Sequence, residues 1–193
     1  MTEVMLFPLS SIILPEGKMR LRIFESRYKR LVSQAMRGDG TFGICMFEKP
    51  QNSSENELSH IGTLAKVVDF EALDDGLLGI TVTGLEKFQI EQVRVEYDGL
   101  RYAKISKLPN WQVEEFSQET ESVALHLAKV YERFPEVSGL YEQKFLDDAS
   151  WVSQRWLEIL PLSKQQFDAL TTPSDCNAAI QFLNEALFNE SVK

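Results

Sequence analysis

Cysteine and histidine are scarce, with two of each in 193 residues. Cys45 and Cys176 stand far apart and alone. They make neither a disulfide framework nor a zinc site, and they suit a reducing cytoplasm. His60 and His126 belong to no His-Glu-x-x-His or spaced Cys/His pattern, so no metal ligands are expected. His60 falls where a polar stretch meets a strand, and His126 between Leu125 and Leu127 of a helix. Both read as surface or structural histidines, not general bases. Gly-x-Ser-x-Gly is missing too. The one Gly-Lys pair, Gly17-Lys18, is followed by Met19 and has Ile12 where the first P-loop glycine belongs, so the backbone cradle for phosphates cannot form. These absences predict no catalytic residues, no cofactor and no metal, hence no enzyme. Long apolar runs are also lacking. Val4 to Leu14 is too short to span a bilayer. It is broken by Pro8, preceded by Glu3 instead of a basic flank, and followed by no small-residue cleavage site, so no signal peptide and no membrane partner are expected.

An excess of positive charge is missing as well: the net charge is −9. It is unevenly placed. Residues 1–112 hold 14 basic and 15 acidic side chains, whereas 113–193 hold 6 basic and 14 acidic. The acidic second half repels phosphate backbones. One local basic cluster opposes this: Lys18, Arg20, Arg22, Arg27, Lys29, Arg30 and Arg37, with Glu25 as its only acid. It leaves RNA binding as the alternative partner class, against the plainer reading of a solvated strand-and-helix face.

What is present is a clear change of period near residue 110. Val4 to Leu9 reads as a first strand, with Pro8 at an edge or bulge because it lacks an N–H. Leu14-Pro15-Glu16-Gly17 has turn chemistry. From Lys18, Met19, Leu21 and Ile23 alternate with Arg20, Arg22 and Phe24, a half-buried strand. Tyr28, Leu31, Val32, Ala35 and Met36 then trace one helical face, closed by Gly38. Thr41 to Phe47 returns to strand, and residues 48–60 read as an exposed polar loop. Ile61 to Leu73 and Leu77 to Thr83 flank Asp74-Asp75-Gly76, which reads as a hairpin turn and not as a catalytic carboxylate pair. Phe88 to Val95 carries a slip in its alternation between Ile90 and Val93, a bulge signature. Tyr102 to Leu108 is the last of about seven strands. A curled antiparallel sheet or small barrel buries such a set.

Beyond Pro109-Asn110 the pattern is helical: 118–134, then Asp148 to Leu160 ended by Pro161. A third helix opens at the capping-box pair Ser163 and Gln166, and a fourth at Ser174 or Asp175. Trp151 and Trp156 lie in the second of these and read as helix-packing core.

The opening residues resemble those of the LON domain. Phe7-Pro8-Leu9, Leu14-Pro15, Gly17, Leu21, Ile23-Phe24-Glu25 and Arg27-Tyr28 carry that resemblance. Ile61-Gly62-Thr63 and Gly84 to Ile90, with Lys87 in place of the usual Arg before Phe88, extend it. So do Leu160-Pro161-Leu162, Gln165-Gln166 and Leu170. The resemblance implies an α+β fold: a PUA-like antiparallel β-barrel with one inserted helix over 1–112, then a C-terminal helical bundle over 113–193. It implies a non-catalytic, cytoplasmic protein-binding module, similar to the substrate-recognition domain of Lon proteases. The ATPase and Ser–Lys protease that follow that domain are not expected here, because the chain ends after the bundle. The partner class implied is a polypeptide or a docking protein. Among the motif residues Phe7, Pro8, Leu9, Leu14, Pro15, Gly17, Phe24, Glu25, Arg27, Tyr28 and Gly62, a structural role is expected. Glu25 suits a helix N-terminus, and Arg27 can reach a strand carbonyl or a carboxylate.

Overall fold

The computed structural model describes residues 2–48, 57–118 and 120–188. Six strands form one sheet: β1 (Thr2–Leu9), β2 (Lys18–Ile23), β3 (Thr41–Glu48), β4 (Glu57–Ala72), β5 (Leu78–Val95) and β6 (Arg101–Lys107). Their order is β2-β5-β4-β3-β1-β6, with a further pairing of β5 to β6. That last pairing joins β5, β4, β3, β1 and β6 into a ring, and β2 stands outside it as an edge strand.

The sheet is mixed, a correction to the antiparallel expectation. β1 runs parallel to β3, pairing Leu6 with Gly43 through Leu9 with Met46. The cause lies in the connection. β2 and helix α1 (Ser26–Ala35) intervene between the two strands, and such a crossover returns the chain in the same direction. Among the described residues the strand count also falls from about seven to six, because Leu77–Thr83 and Phe88–Val95 lie in one long strand through Gly84. Of the polar segment 48–60, residues 49–56 lie outside the described residues. Residues 57–60 are not loop but the start of β4: Phe47 pairs with Leu58 and Glu48 with Glu57. The Ser59 hydroxyl is buried there, accepting from the Met46 amide and donating to the Ile61 carbonyl.

Other local expectations hold. Gly76 takes φ +78 in the Asp74-Asp75-Gly76 turn, and the Leu77 amide donates to Asp75. The bulge in β5 falls between Ile90 and Gln92. Pro8 lies beyond the last β1–β6 pair, Leu6 with Arg101, so no ladder bond is lost on that side. In α1, Tyr28, Leu31, Val32 and Ala35 are buried as the spacing predicts, but Met36 caps the helix and is 44% exposed. Gly40, with φ +81, takes the left-handed position expected of Gly38. Its amide closes onto the Ala35 carbonyl.

The helical segment holds α2 (Glu121–Arg133), the short α3 (Pro135–Ser138), α4 (Ala149–Ile159), α5 (Lys164–Thr171) and α6 (Asn177–Phe188). Ser163 and Gln166 form the predicted capping box of α5, and Asp175 accepts from the first amide of α6. Trp151 and Trp156 are buried among Val123, Leu127, Tyr131 and Leu183. One core packs α1 against the strands. Another joins the two halves: Ile12, Leu14, Met46, Ile61 and Trp111 meet Leu157, Phe167, Cys176 and Ala179. Among the described residues no helix is long and apolar enough to cross a membrane.

Candidate functional site

All the motif residues but Gly62 divide into two places. Leu14, Pro15 and Gly17 form a buried joint against α4. The Glu158 carboxylate accepts from the Leu14 amide at 2.7 Å and from Arg155 at 2.8 and 2.9 Å, and Arg155 also donates to the Pro15 carbonyl at 2.9 Å. Burial raises the Glu158 carboxyl above the usual carboxylate range, against the pull of Arg155 and the Leu14 amide. The other side of the turn rests on β5. The Glu16 amide donates to the Gly84 carbonyl, and the Gly84 amide donates to the Gly17 carbonyl. A Cβ on Gly84 would overlap the Leu14 carbonyl, and one on Gly17 would overlap Glu158. Both positions therefore require close backbone approach. Gly62 is elsewhere, in β4 opposite Phe88.

The second place is an open groove of about 400 Å³. Its apolar floor is Phe7, Pro8 and Leu9 of β1, Phe47 of β3, Leu21 of β2 and Tyr28 of α1. Phe7 and Tyr28 stack with ring centroids 4.0 Å apart, and burial pushes the Tyr28 phenol pKa up. Phe24 also lines the groove and is 62% exposed, although it is aromatic. Arg20, Arg22, Arg27 and Arg101 supply positive charge against a single acid, Glu25. Glu25 occupies the N-cap position of α1 without capping it. Its carboxylate pairs with Arg27 at 2.7 Å instead. Arg27 also lies over the Tyr28 ring and reaches the Gly99 carbonyl at 3.5 Å.

Much of the basic cluster is neutralised locally. Arg30 is held by Glu96 and Asp98 at 2.6 and 2.9 Å, and Arg22 by Asp75. Among the described residues Arg20 and Arg101 have no carboxylate partner.

The histidines stay apart. His60 is exposed in β4, where its amide donates to Asp168, and His126 Nδ1 lies 2.9 Å from the Ser122 carbonyl within α2. No group of three or more His, Cys, Asp or Glu among the described residues is placed to hold a metal ion. Residue patterns alone did not single out Arg155, Glu158, Phe47 or Arg101. Arg155 and Glu158 left a faint trace, two opposite charges three apart in an otherwise uncharged helix. Phe47 and Arg101 left none, because they reach the groove through strand pairing.

The geometry is that of an open groove on the sheet, with an apolar floor, four arginines and one glutamate. The family model of the ATP-dependent protease La (LON) substrate-binding domain matches residues 3–175, and the chain belongs to this family. It is 30% identical over 141 residues to a Lon protease of Cytophaga hutchinsonii, covering 70% of this chain and 16% of that protein. It is 30% identical over 105 residues to protein cereblon of Danio rerio, covering 51% and 23%. The chain thus spans under a quarter of these relatives. Among solved structures it is similar to a Lon N-terminal domain protein from Xanthomonas campestris, with TM-score 0.72 and 30% identity over 95% of this chain and 97% of that one. The N-terminal domain of a Mycobacterium avium complex Lon protease shares the fold, with TM-score 0.64 and 12% identity at the same coverage.

Proposed function

We propose that this chain is a non-catalytic, cytoplasmic module that binds polypeptide, and that the groove bounded by β1, β2 and the start of α1 is where it does so. The observation that carries this reading is Phe24. An aromatic side chain 62% exposed beside an apolar floor is poised to cover a partner's side chains. Membership of a substrate-binding family supports it. The PUA-like barrel describes the strand ring in the same reading, and the helical bundle describes α2 onward. The motif residues then have two tasks. Leu14, Pro15 and Gly17 hold the halves together, while Phe7, Pro8, Leu9, Phe24 and Tyr28 present a surface that Glu25 and Arg27 keep in shape.

RNA is the less favoured partner, because Arg22, Arg27 and Arg30 of the basic cluster are already paired with acids. Titration of a labelled, permanently unfolded polypeptide and a labelled RNA at two salt concentrations tests the choice. Polypeptide should bind, and Phe24→Asp should abolish binding without moving the urea midpoint, because the side chain is mostly in water. RNA binding that falls steeply with salt, together with no polypeptide binding, would reverse the assignment.

A further inference from the structure

We propose that the groove takes an extended, acidic segment of a partner polypeptide, added as a strand along the open edge of β2. This rests on the groove being the binding site. Three observations carry it.

The first is topological. β2 pairs with β5 on one side and with no strand on the other. Pairing of β1 with β6 stops at Leu6, so Phe7, Pro8 and Leu9 have no strand on that side either. The groove is lined by the consecutive residues Arg20, Leu21 and Arg22 of one strand and by Phe7, Pro8 and Leu9 of the other. Consecutive residues point to opposite faces of a sheet, so a groove touching all of them runs along strand edges. It is a gap between two edges in an otherwise closed set of strands.

The second is the direction of the backbone groups. The Lys18 amide donates to the Tyr141 hydroxyl at 3.1 Å, away from β5, whereas the Gly17 carbonyl accepts from Gly84 of β5. Alternation in an antiparallel pair then turns the N–H and C=O of Arg20 and Arg22 outward as well. A polypeptide strand offers matching donors and acceptors. A sugar-phosphate backbone lacks the regularly alternating N–H and C=O groups that would match such an edge.

The third is charge. Arg20 and Arg101 flank the gap without carboxylate partners among the described residues, whereas Arg22 and Arg27 beside them are paired with Asp75 and Glu25. Carboxylates at alternate positions of an added strand would meet guanidinium groups, while the intervening side chains would face the apolar floor around Leu21. A second copy of this chain is the wrong occupant, because pairing two β2 edges sets arginine against arginine.

The test is fluorescence anisotropy on the full chain with labelled extended peptides in which Glu alternates with Val or Phe. Comparison peptides carry Lys for Glu, or are N-methylated on alternate amides in either of the two registers. We expect the Glu peptide to bind, and the Lys peptide and one N-methylated register to bind about tenfold or more weakly. Arg20→Glu with Arg101→Glu should invert the preference toward the Lys peptide, a result that loss of folding cannot produce. Equal binding of Glu and Lys peptides, or indifference to N-methylation in both registers, would overturn strand addition. In that event, unfolded polypeptide still lost on Phe24→Asp would leave the groove standing as the binding site. Absence of all polypeptide binding would remove both proposals. Concentration-dependent dimers that the Glu peptide fails to dissociate would assign the edge to a second copy and overturn the partner proposed.

Discussion

Arg155 and Glu158 form an ion pair in the junction between the two halves, with side-chain exposures of 0% and 12%. Each holds a main-chain group of the Leu14–Gly17 turn, and Arg155 lies over the Tyr141 and Trp151 rings. Removing one charge strands the other. Arg155→Met should cost about 3–5 kcal/mol in urea unfolding. Adding Glu158→Leu should recover part of it, leaving about 1–3 kcal/mol for the unpaired Leu14 and Pro15 groups. A double variant no more stable than the single one would show that the charges are not coupled. Lys87 differs, since it is 1% exposed and, among the described residues, its ammonium meets the Thr171 and Pro173 carbonyls and the Trp111 ring with no carboxylate beside it. Burial lowers its pKa from 10.5 to about 8. The unfolded chain therefore holds this proton between those values while the native chain releases it, and this group's contribution to stability rises with pH across that window. The stability of the wild type relative to Lys87→Met should thus increase from pH 8 to 10.5, by about 3 kcal/mol at most. A flat difference across that window would refute the shift.

At the scale of elements, β5 organises the sheet, because its 18 residues pair with β2, β4 and β6 in turn. Gly84 sits where β2 leaves off and the Leu14–Gly17 turn docks onto the strand. Gly84→Ala would push a methyl into the Leu14 carbonyl, which is backbone and cannot swing aside. The expected loss is about 3 kcal/mol, read as a lower urea midpoint, whereas Gly76→Ala in the open hairpin turn should cost only its left-handed backbone term of about 1 kcal/mol. Comparable losses at both sites would mean the turn does not dock as tightly as described. The sequence made the elements legible where one face is buried: the alternation of β2, the stripe of α1, the capping box of α5 and the slip in β5. It concealed the parallel pairing of β1 with β3, since a half-buried strand shows the same alternation beside either kind of partner. It also concealed the continuity of β5 through Gly84, which punctuates a sequence without always ending a strand. Of the groove, Phe24, Arg20, Arg22 and Arg27 were visible as residue types, but Arg101 and the gap beside them are products of strand order.

For the whole molecule, the change of character near residue 112 divides element types without dividing the core. Trp111 packs with residues from both halves and its indole N–H donates to the Pro173 carbonyl. The segment that follows is tied to α4: the Ala149 amide donates to the Glu114 carbonyl, and the Ser150 hydroxyl to that of Gln112. One cooperative unfolding transition is expected, with tryptophan fluorescence and far-ultraviolet circular dichroism superimposing in urea. Two separated transitions would mean that the halves are independent. The segment over 109–118 should likewise resist limited proteolysis, because its backbone bonds must break before a protease can seat it.

The long reach of the N-terminal segment bears on how the chain is made. Thr2 pairs with Ile105, and the amide of Leu14 waits for a carboxylate 144 residues further on. A ribosome delivers those partners late, at roughly 5–20 residues per second. During synthesis β1 has neither its β6 neighbour nor the α4 pair that pins the turn behind it. Closure is therefore a late event, slow by the measure that links non-local contacts to folding rate. Until β6 and α4 have emerged, the nascent chain shows two bare strand edges where the folded chain shows one groove. A chaperone that shields the first dozen residues until α4 has emerged should raise the yield of native chain more than one acting on the helices.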